Sequence, residues 1–427
     1  MKKFDHNMAI RCRDQFPGLS REVNGKPAVF FDGPAGTQVP QRVADAVSHY
    51  LLHQNANHGG CFATSRETDE MLDAAGNAFA EFVGTNDRRE IIFGQNMTSL
   101  TFAFSRSLSQ TWNAGDEILV SAVDHDANVT PWATAAADRG ATIKVIPFRD
   151  DDLILDLDAY RSLLSEKTRL VAVGCACNAS GGLNPVKQVT QLAHEAGAEV
   201  FLDAVHYGPH GLIDVTDWGC DYLGFSAYKF FGPHLGALWV RLDHLERLSP
   251  YKVRPSSNDL PWRWMTGTQS HESIAGGMAA IDYLADIGRE ISGEPSTPRR
   301  LALRAAFGAI REFESELVQQ LIDGLQQIEG IRVYGITEPE RVCERVATVC
   351  FTHEAIETSQ LNQALAERGC FVWGGNYYAL EFTTRLGLEP QGMIRAGLVH
   401  YNTADEVQRF LTELKSIVAE SLAGASQ

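Results

Sequence analysis

The chain has 427 residues, of which 44% are hydrophobic. This length is too great for one ordinary core, so we expect two domains. Its 37 basic and 54 acidic residues give a net charge of −17 with no basic cluster, which disfavours nucleic acid and anionic membranes as partners. No apolar run approaches the ~20 residues of a membrane span, and residues 1–6 lack the apolar core of a secretory signal, so we expect a cytoplasmic protein.

Short runs of β-forming residues alternate with helical segments from about residue 90 to residue 245. The strands are predicted at residues 90–93, 117–121, 142–146, 169–173, 200–203, 222–225 and 236–241. Residues 185–196 have a helical pattern that ends at Gly197, a good C-cap. This alternation predicts an α/β fold with a doubly wound, mostly parallel sheet, whose functional residues lie at the carboxyl ends of its strands.

The C-terminal part has a different pattern and predicts a smaller α/β domain. A long helix is predicted over about 300–328, followed by strands near 331–334, 346–351 and 393–398 and by helices at about 359–368 and 403–422. Residues 286–299 contain Gly, Ser and two Pro, so we place the domain boundary there. The large domain is then expected at 30–285, and the small domain at 1–29 and 286–427.

Two charged residues follow two of the predicted strands. Asp203 ends the apolar run 198–203, and Lys229 follows a second run that ends at Ser226. This pairing suits pyridoxal 5′-phosphate, because a lysine amine can bind its aldehyde covalently while a carboxylate keeps its pyridine nitrogen protonated. No Gly-x-Gly-x-x-Gly follows a strand and no Walker-type loop is present, which disfavours nucleotide cofactors.

These motifs resemble those of class V aminotransferases, which are fold-type I pyridoxal phosphate enzymes, and within them the branch of cysteine desulfurases and selenocysteine lyases. The likeness runs from about Phe30 to the C-terminal helix, with the motifs in the family's order. It implies that the large domain binds the cofactor, that the substrate is an α-amino acid, and that a homodimer shares its active sites.

The resemblance assigns roles around the cofactor ring. Lys229 matches the lysine that binds the aldehyde and later moves the Cα proton, and Asp203 matches the acid at the pyridine nitrogen. His125 matches the catalytic histidine that stacks on the ring. Asn178 matches an asparagine that contacts the phenolic oxygen, and His206 stands where many relatives have a glutamine with the same contact.

The resemblance also indicates a phosphate site. Residues 95–99 lie between a strand and a helix, where the backbone N–H near Met97 and the Thr98 hydroxyl can bind phosphate, although relatives usually have Gly-Thr-Thr-Glu there. Ser226 adds another hydroxyl. Thr268 resembles a residue on a loop that reaches the phosphate from the neighbouring subunit; the alternative is an ordinary turn.

Of the residues expected to contact the substrate, one matches the family's motif and one differs from it. Arg395 matches the arginine that binds the substrate carboxylate bidentately, and a buried structural ion pair is the alternative. In desulfurases of this branch a loop cysteine accepts sulfur, but its place here falls at about Tyr378, and a phenol cannot replace a thiolate. Tyr377 or Tyr378 can instead contact the substrate side chain.

The eight cysteines predict neither a disulfide framework nor a metal site. Cys175 and Cys177 have no partner pair at zinc-site spacing, so we expect free thiols and no metal. Cys370 is expected at the start of a strand, out of reach of the substrate. Cys61 lies in a loop that approaches the substrate entrance in relatives, although a packed thiol is the simpler expectation.

The function predicted from these residues is pyridoxal phosphate chemistry on a cysteine-like amino acid, with sulfur or selenium leaving Cβ. The choice of a lyase comes from the resemblance, because removal of the Cα proton by Lys229 also permits transamination and racemisation. A class V aminotransferase is therefore the first alternative. A non-catalytic protein that binds the cofactor is the second.

Overall fold

The computed structural model describes residues 2–425, and its strands fall into three groups along the chain. The first group is N-terminal and short: β1 (Glu22–Val23), β2 (Lys26–Pro27) and β3 (Val29–Phe30). The second group is β4 (Ile91–Gly94), β5 (Glu117–Ser121), β6 (Thr142–Ile146), β7 (Thr168–Gly174), β8 (Glu199–Asp203), β9 (Tyr222–Ser226) and β10 (Gly236–Val240). The third group is β11 (Ile331–Tyr334), β12 (Thr348–His353), β13 (Cys370–Phe371), β14 (Trp373–Gly375) and β15 (Met393–Gly397).

The α-helices surround these strands and link them. Up to the end of the second strand group they are α1 (His6–Arg13), α2 (Gln41–His49), α3 (Ala63–Val83), α4 (Met97–Leu108), α5 (Thr130–Arg139), α6 (Leu157–Leu163), α7 (Val186–Glu195) and α8 (Val215–Trp218). The later ones are α9 (Leu242–Arg247), α10 (His271–Ser292), α11 (Arg299–Gln326), α12 (Thr358–Glu367), α13 (Leu380–Arg385) and α14 (Ala404–Ala425). Within residues 2–425, none of the helices is long and apolar enough to cross a membrane.

The second strand group forms one seven-stranded sheet in the order β4-β10-β9-β8-β7-β5-β6. The pairs β5–β6, β5–β7, β7–β8 and β8–β9 are parallel, and only β10 runs antiparallel to its neighbours. Every residue of β9 and β10 is buried, as expected for a sheet covered by helices on both faces. The predicted α/β class and the mostly parallel sheet are confirmed.

Four strands of the third group form an antiparallel sheet in the order β11-β12-β15-β14. β3 joins this part of the molecule, because it pairs with β13 in parallel and Asp32 bridges to Gly397. The predicted boundary segment is partly helical: α10 continues to Ser292, and the link to α11 covers residues 293–298. The exact domain limits stay a prediction.

Candidate active site

A cavity of about 550 Å³ lies where loops after the strands of the seven-stranded sheet meet the antiparallel sheet. Its volume is in the range typical of cofactor and substrate sites. Ten of the eleven predicted site residues line it: Met97, Thr98, His125, Asn178, Asp203, His206, Ser226, Lys229, Tyr378 and Arg395. The eleventh, Thr268, is exposed and lies outside this cavity.

Lys229 lies just beyond β9, in a short 3-10 turn (Ala227–Lys229). Its Nζ donates a hydrogen bond to the carbonyl oxygen of Pro34, which the sequence analysis did not single out. Burial and the charge of Arg395 together lower the pKa of Lys229 to about 7, against the opposing effect of Asp203. A substantial fraction of this amine is therefore neutral near pH 7, the form that attacks an aldehyde.

Asp203 ends β8 and is buried. Its Oδ1 accepts a hydrogen bond of 2.8 Å from the backbone N–H of Val205. Burial raises the pKa of Asp203 to about 6, while that hydrogen bond and the charge of Lys229 act in the opposite direction. Among the described residues no cation forms an ion pair with Asp203, so its carboxylate is available to a protonated ring nitrogen.

A second buried carboxyl group, Asp124, lines the same cavity and was missed at the level of sequence. Ser121 donates a hydrogen bond of 2.6 Å to its Oδ2. Burial raises the pKa of Asp124 to about 8, and the charge of Asp203 adds to this effect. Asp124 is therefore largely protonated at pH 7. Its position directly before His125 was the available signal.

His125 presents its ring to the cavity in a defined tautomer. Its Nδ1 accepts a hydrogen bond of 3.0 Å from the backbone N–H of Ala127, so the neutral ring carries its proton on Nε2. Burial lowers the pKa of His125 to about 4, with further contributions from the charges of Lys229 and Arg395. The neutral ring is stacked with Tyr378 at 5.2 Å between centroids and 29° between planes.

The amino end of α4 opens onto the cavity through Met97 and Thr98. The Asn96 side chain caps this helix by accepting a hydrogen bond of 2.8 Å from Ser99. The Met97 N–H points to Ser226, whose Oγ lies 3.2 Å away. A helix start with two hydroxyl groups beside it forms a suitable environment for a phosphate.

Asn178 and His206 are buried, and each has an atom without a hydrogen-bond partner: Oδ1 of Asn178 and Nε2 of His206. Asn178 Nδ2 donates to the carbonyl oxygen of Tyr377 at 2.9 Å. Burial, together with the charge of His210, keeps the pKa of His206 well below its usual range. Behind it, His210 pairs with Glu314 at 2.6 Å.

Arg395 lies in β15 and is 4% exposed. Its guanidinium group lies 4.3 Å from the centre of the Tyr377 ring, and its Nη1 donates a hydrogen bond of 2.8 Å to the carbonyl oxygen of Asn178. Burial lowers the pKa of Arg395 to about 10, so it stays charged. Within residues 2–425 no carboxylate pairs with it and its Nε has no partner, which leaves a fork for a ligand carboxylate.

The cavity contains no thiol among the residues that the structure describes. All eight cysteines are free; Cys61 is exposed but outside the cavity, and Cys370 is buried at the start of β13, where it was predicted. The wall that faces His125 consists of residues 373–378, with Tyr378 over the imidazole. This wall was predicted only in part, because Trp373 was not singled out.

The donor set fits pyridoxal phosphate. The cavity brings together a lysine with a lowered pKa, an unpaired carboxylate, a helix amino end with hydroxyl groups, and a neutral imidazole. It also holds polar side chains with unpartnered atoms, which a bound ring and an amino acid could satisfy.

Comparison with known proteins gives the family. The family model described as aminotransferase class-V matches residues 29–410. A probable cysteine desulfurase from Synechocystis is 32% identical over 96% of both chains, and another from Halalkalibacterium halodurans is 30% identical over 93% of this chain and 95% of its own. This chain belongs to the class V aminotransferase family, whose members use pyridoxal 5′-phosphate.

Solved structures support the same fold. A cysteine desulfurase from Thermococcus onnurineus has a TM-score of 0.85 at 24% identity, covering 98% of this chain and 100% of its own. One from Escherichia coli has a TM-score of 0.81 at 23% identity, covering 96% and 98%. The family resemblance and the fold-type I class predicted from the sequence are thus confirmed.

Proposed function

We propose that this protein is a pyridoxal phosphate-dependent lyase that breaks the C–S or C–Se bond of a cysteine-like amino acid. The observation that carries the proposal is the presence of Lys229, Asp203 and Arg395 on one cavity. Relatives that match nearly the whole chain are named cysteine desulfurases. Cofactor binding alone would not require a carboxylate-binding arginine beside the lysine, which favours a catalytic protein over a non-catalytic one.

In this proposal Arg395 binds the substrate carboxylate with its charged fork. Lys229 removes the proton from Cα, a task suited to an amine with a pKa near 7. The bound cofactor would supply a conjugated ring that stabilises the electron pair left at Cα. Loss of that proton then allows the Cβ–S bond to break.

The remaining side chains of the cavity hold and orient the cofactor. Asp203 keeps a proton on the ring nitrogen, and the neutral imidazole of His125 packs against the ring face. Asn178 and His206 have unpartnered polar atoms that suit the phenolic oxygen. The start of α4 and Ser226 bind the phosphate.

The proposed product is free sulfide or selenide rather than sulfur held on the protein, because no cysteine lines the cavity within the described part of the chain. The test incubates the holoenzyme with L-cysteine or L-selenocysteine and measures sulfide or selenide, pyruvate and ammonia, while intact-protein mass spectrometry looks for a persulfide. Equal amounts of the three products and no added sulfur mass are expected.

A persulfide that forms on the wild type and is absent from Cys61→Ala would contradict this account, with Cys343→Ala as the matched control at the other exposed thiol. An aminotransferase would instead yield pyridoxamine phosphate that an oxoacid converts back. A protein that binds the cofactor but changes none of these amino acids would favour the non-catalytic alternative.

We also propose a homodimer that completes the phosphate site, and a cytoplasmic location. Thr268 is exposed and lies outside the cavity of its own chain, as a residue serving a second copy would. All eight cysteines are free thiols, the state that a reducing compartment maintains. Light scattering should give twice the chain mass, and Thr268→Ala should weaken cofactor binding; a monomer with unchanged cofactor affinity would contradict the dimer.

A further inference from the structure

Three large apolar side chains on one short segment are exposed to solvent. They are Trp373, Tyr378 and Leu380, with exposed fractions of 52%, 72% and 46%. Trp373 and Tyr378 also line the cavity that holds Lys229. A cluster of exposed apolar groups that continues an established cavity is characteristic of a ligand-binding surface. We refer to Trp373 and Tyr378 together as the aromatic entrance.

The Tyr378 ring is held in place despite its exposure. The ring stacks on His125. The backbone N–H of Tyr378 donates a hydrogen bond of 3.1 Å to Asn376 Oδ1, and its carbonyl oxygen accepts one of 2.7 Å from the backbone N–H of Asp126. Tyr377 and Tyr378 both have left-handed backbone angles, with φ of 53° and 60°. Two consecutive non-glycine residues in this region are unfavourable, and such backbone is found mostly at functional sites.

The aromatic entrance is adjacent to the carboxylate-binding end of the site. The Tyr377 ring lies against Arg395, and the next residue along the chain is Tyr378. Arg395 is almost fully buried, whereas Tyr378 faces solvent. An amino acid whose carboxylate is bound at Arg395 therefore has the aromatic entrance within reach of an extended side chain.

We propose that the aromatic entrance binds the group attached to the substrate's sulfur atom, so that the preferred substrate is a cysteine thioether with an aromatic or extended apolar substituent. This inference rests on the proposed function and names its substrate class. Aromatic rings stack on one another and pack favourably against apolar groups. Free cysteine, which has only hydrogen on its sulfur, gains nothing from these rings.

The reaction balances without an oxidant or reductant. The Cα proton is removed, the Cβ–S bond breaks with its electron pair on sulfur, and the sulfur takes up a proton to leave as a thiol. The remaining three-carbon fragment is hydrolysed by one water molecule. One thioether and one water thus give one thiol, one pyruvate and one ammonia.

The first test measures binding to the holoenzyme with analogues in which carbon replaces sulfur, so that nothing can leave. By calorimetry, L-2-amino-5-phenylpentanoate should bind about tenfold more tightly than L-2-aminopentanoate. This ratio should fall to about two or less in Tyr378→Asn, in which asparagine tolerates the left-handed backbone, and in Trp373→Ala. Tyr251→Asn, at an exposed tyrosine outside the cavity, should keep the wild-type ratio.

The second test compares kcat/KM for S-benzyl-L-cysteine and S-methyl-L-cysteine, with the benzyl compound expected to be about tenfold better. Equal binding of the two carbon analogues, or a ratio unchanged in both entrance variants, overturns the inference. Pyruvate from cysteine without any preference among thioethers overturns the inference and leaves the proposed function standing. Preferential binding of the phenyl analogue without pyruvate from cysteine, selenocysteine or any thioether overturns the proposed function.

Discussion

Arg395 donates a hydrogen bond of 2.8 Å from Nη1 to the carbonyl oxygen of Asn178, and this contact joins the antiparallel sheet to the loop that follows β7 at the cavity. The guanidinium group thus binds the loop after β7 through Nη1, while its Nε has no hydrogen-bond partner in the protein. The same contact fixes the position of Asn178, whose Oδ1 is also unpartnered. The proposed carboxylate site at Arg395 and the proposed cofactor contact at Asn178 are therefore joined by a direct hydrogen bond.

We expect Arg395→Lys to raise KM for the amino acid by about 10- to 100-fold with a smaller effect on kcat, because an ammonium group cannot reproduce the bidentate fork. Steady-state kinetics with the preferred amino acid measure this. Arg345→Lys is the matched control, since Arg345 is equally buried but bonds only backbone carbonyl oxygens away from the cavity. An unchanged KM in Arg395→Lys would contradict the assigned role.

The pKa of Lys229 predicts how cofactor attachment depends on pH. Only the neutral amine attacks an aldehyde, so the rate of attachment to the apoenzyme should rise through about pH 7 and level off above it. The positive charge of Arg395 contributes to the lowered pKa, so the midpoint should move to higher pH in Arg395→Gln. Stopped-flow absorbance after mixing with pyridoxal phosphate measures both profiles, and a wild-type midpoint near pH 10 would exclude this lysine environment.

We expect Asp203 to destabilise the cofactor-free protein, although its proposed role is to keep a proton on the ring nitrogen of the bound cofactor. Its pKa is raised from 3.8 to about 6 in the folded state, so the folded protein loses stability as the pH rises from 4 to 6, where the unfolded chain ionises first. Asp203→Asn should therefore stabilise the apoprotein at pH 7 by about 2–3 kcal/mol, with no difference near pH 3. The same variant should bind the cofactor more weakly; denaturant unfolding and cofactor titration test the two halves separately.

The buried His210–Glu314 pair lies beside His206, whose ring contacts that of His210. Both side chains are less than 5% exposed and lie 2.6 Å apart, so Glu314→Ala should cost about 3–5 kcal/mol of unfolding free energy. Glu316→Ala on the same helix removes an exposed partner of Lys3 and should cost far less, because water screens that pair. Urea unfolding of the two holoenzyme variants compares them; similar losses would show that burial of the first pair is unimportant.

Much of the fold follows from local patterns in the sequence. Strands β5, β6 and β11 were predicted with their observed limits, because their runs of β-branched residues are bounded by turn signals. The two-residue strands β1, β2 and β3 were not predicted, since such short pairings depend on distant partners rather than on their own sequence.

The site could be predicted where one residue type carries the chemistry, as at Lys229 and Asp203. Contacts between distant segments could not. The Pro34 carbonyl meets Lys229 across 195 residues of chain, and Asp124 becomes a buried neutral acid only once distant segments pack around it. Neither relationship leaves a local pattern, because both arise from tertiary packing.

Reductive trapping of the cofactor tests the central assignment most directly. The holoenzyme is treated with borohydride, digested and analysed by mass spectrometry for a peptide that carries the reduced cofactor. We expect the added mass on Lys229 alone, and no such peptide from Lys229→Ala. A label on a different lysine, or an unchanged label in Lys229→Ala, would contradict it.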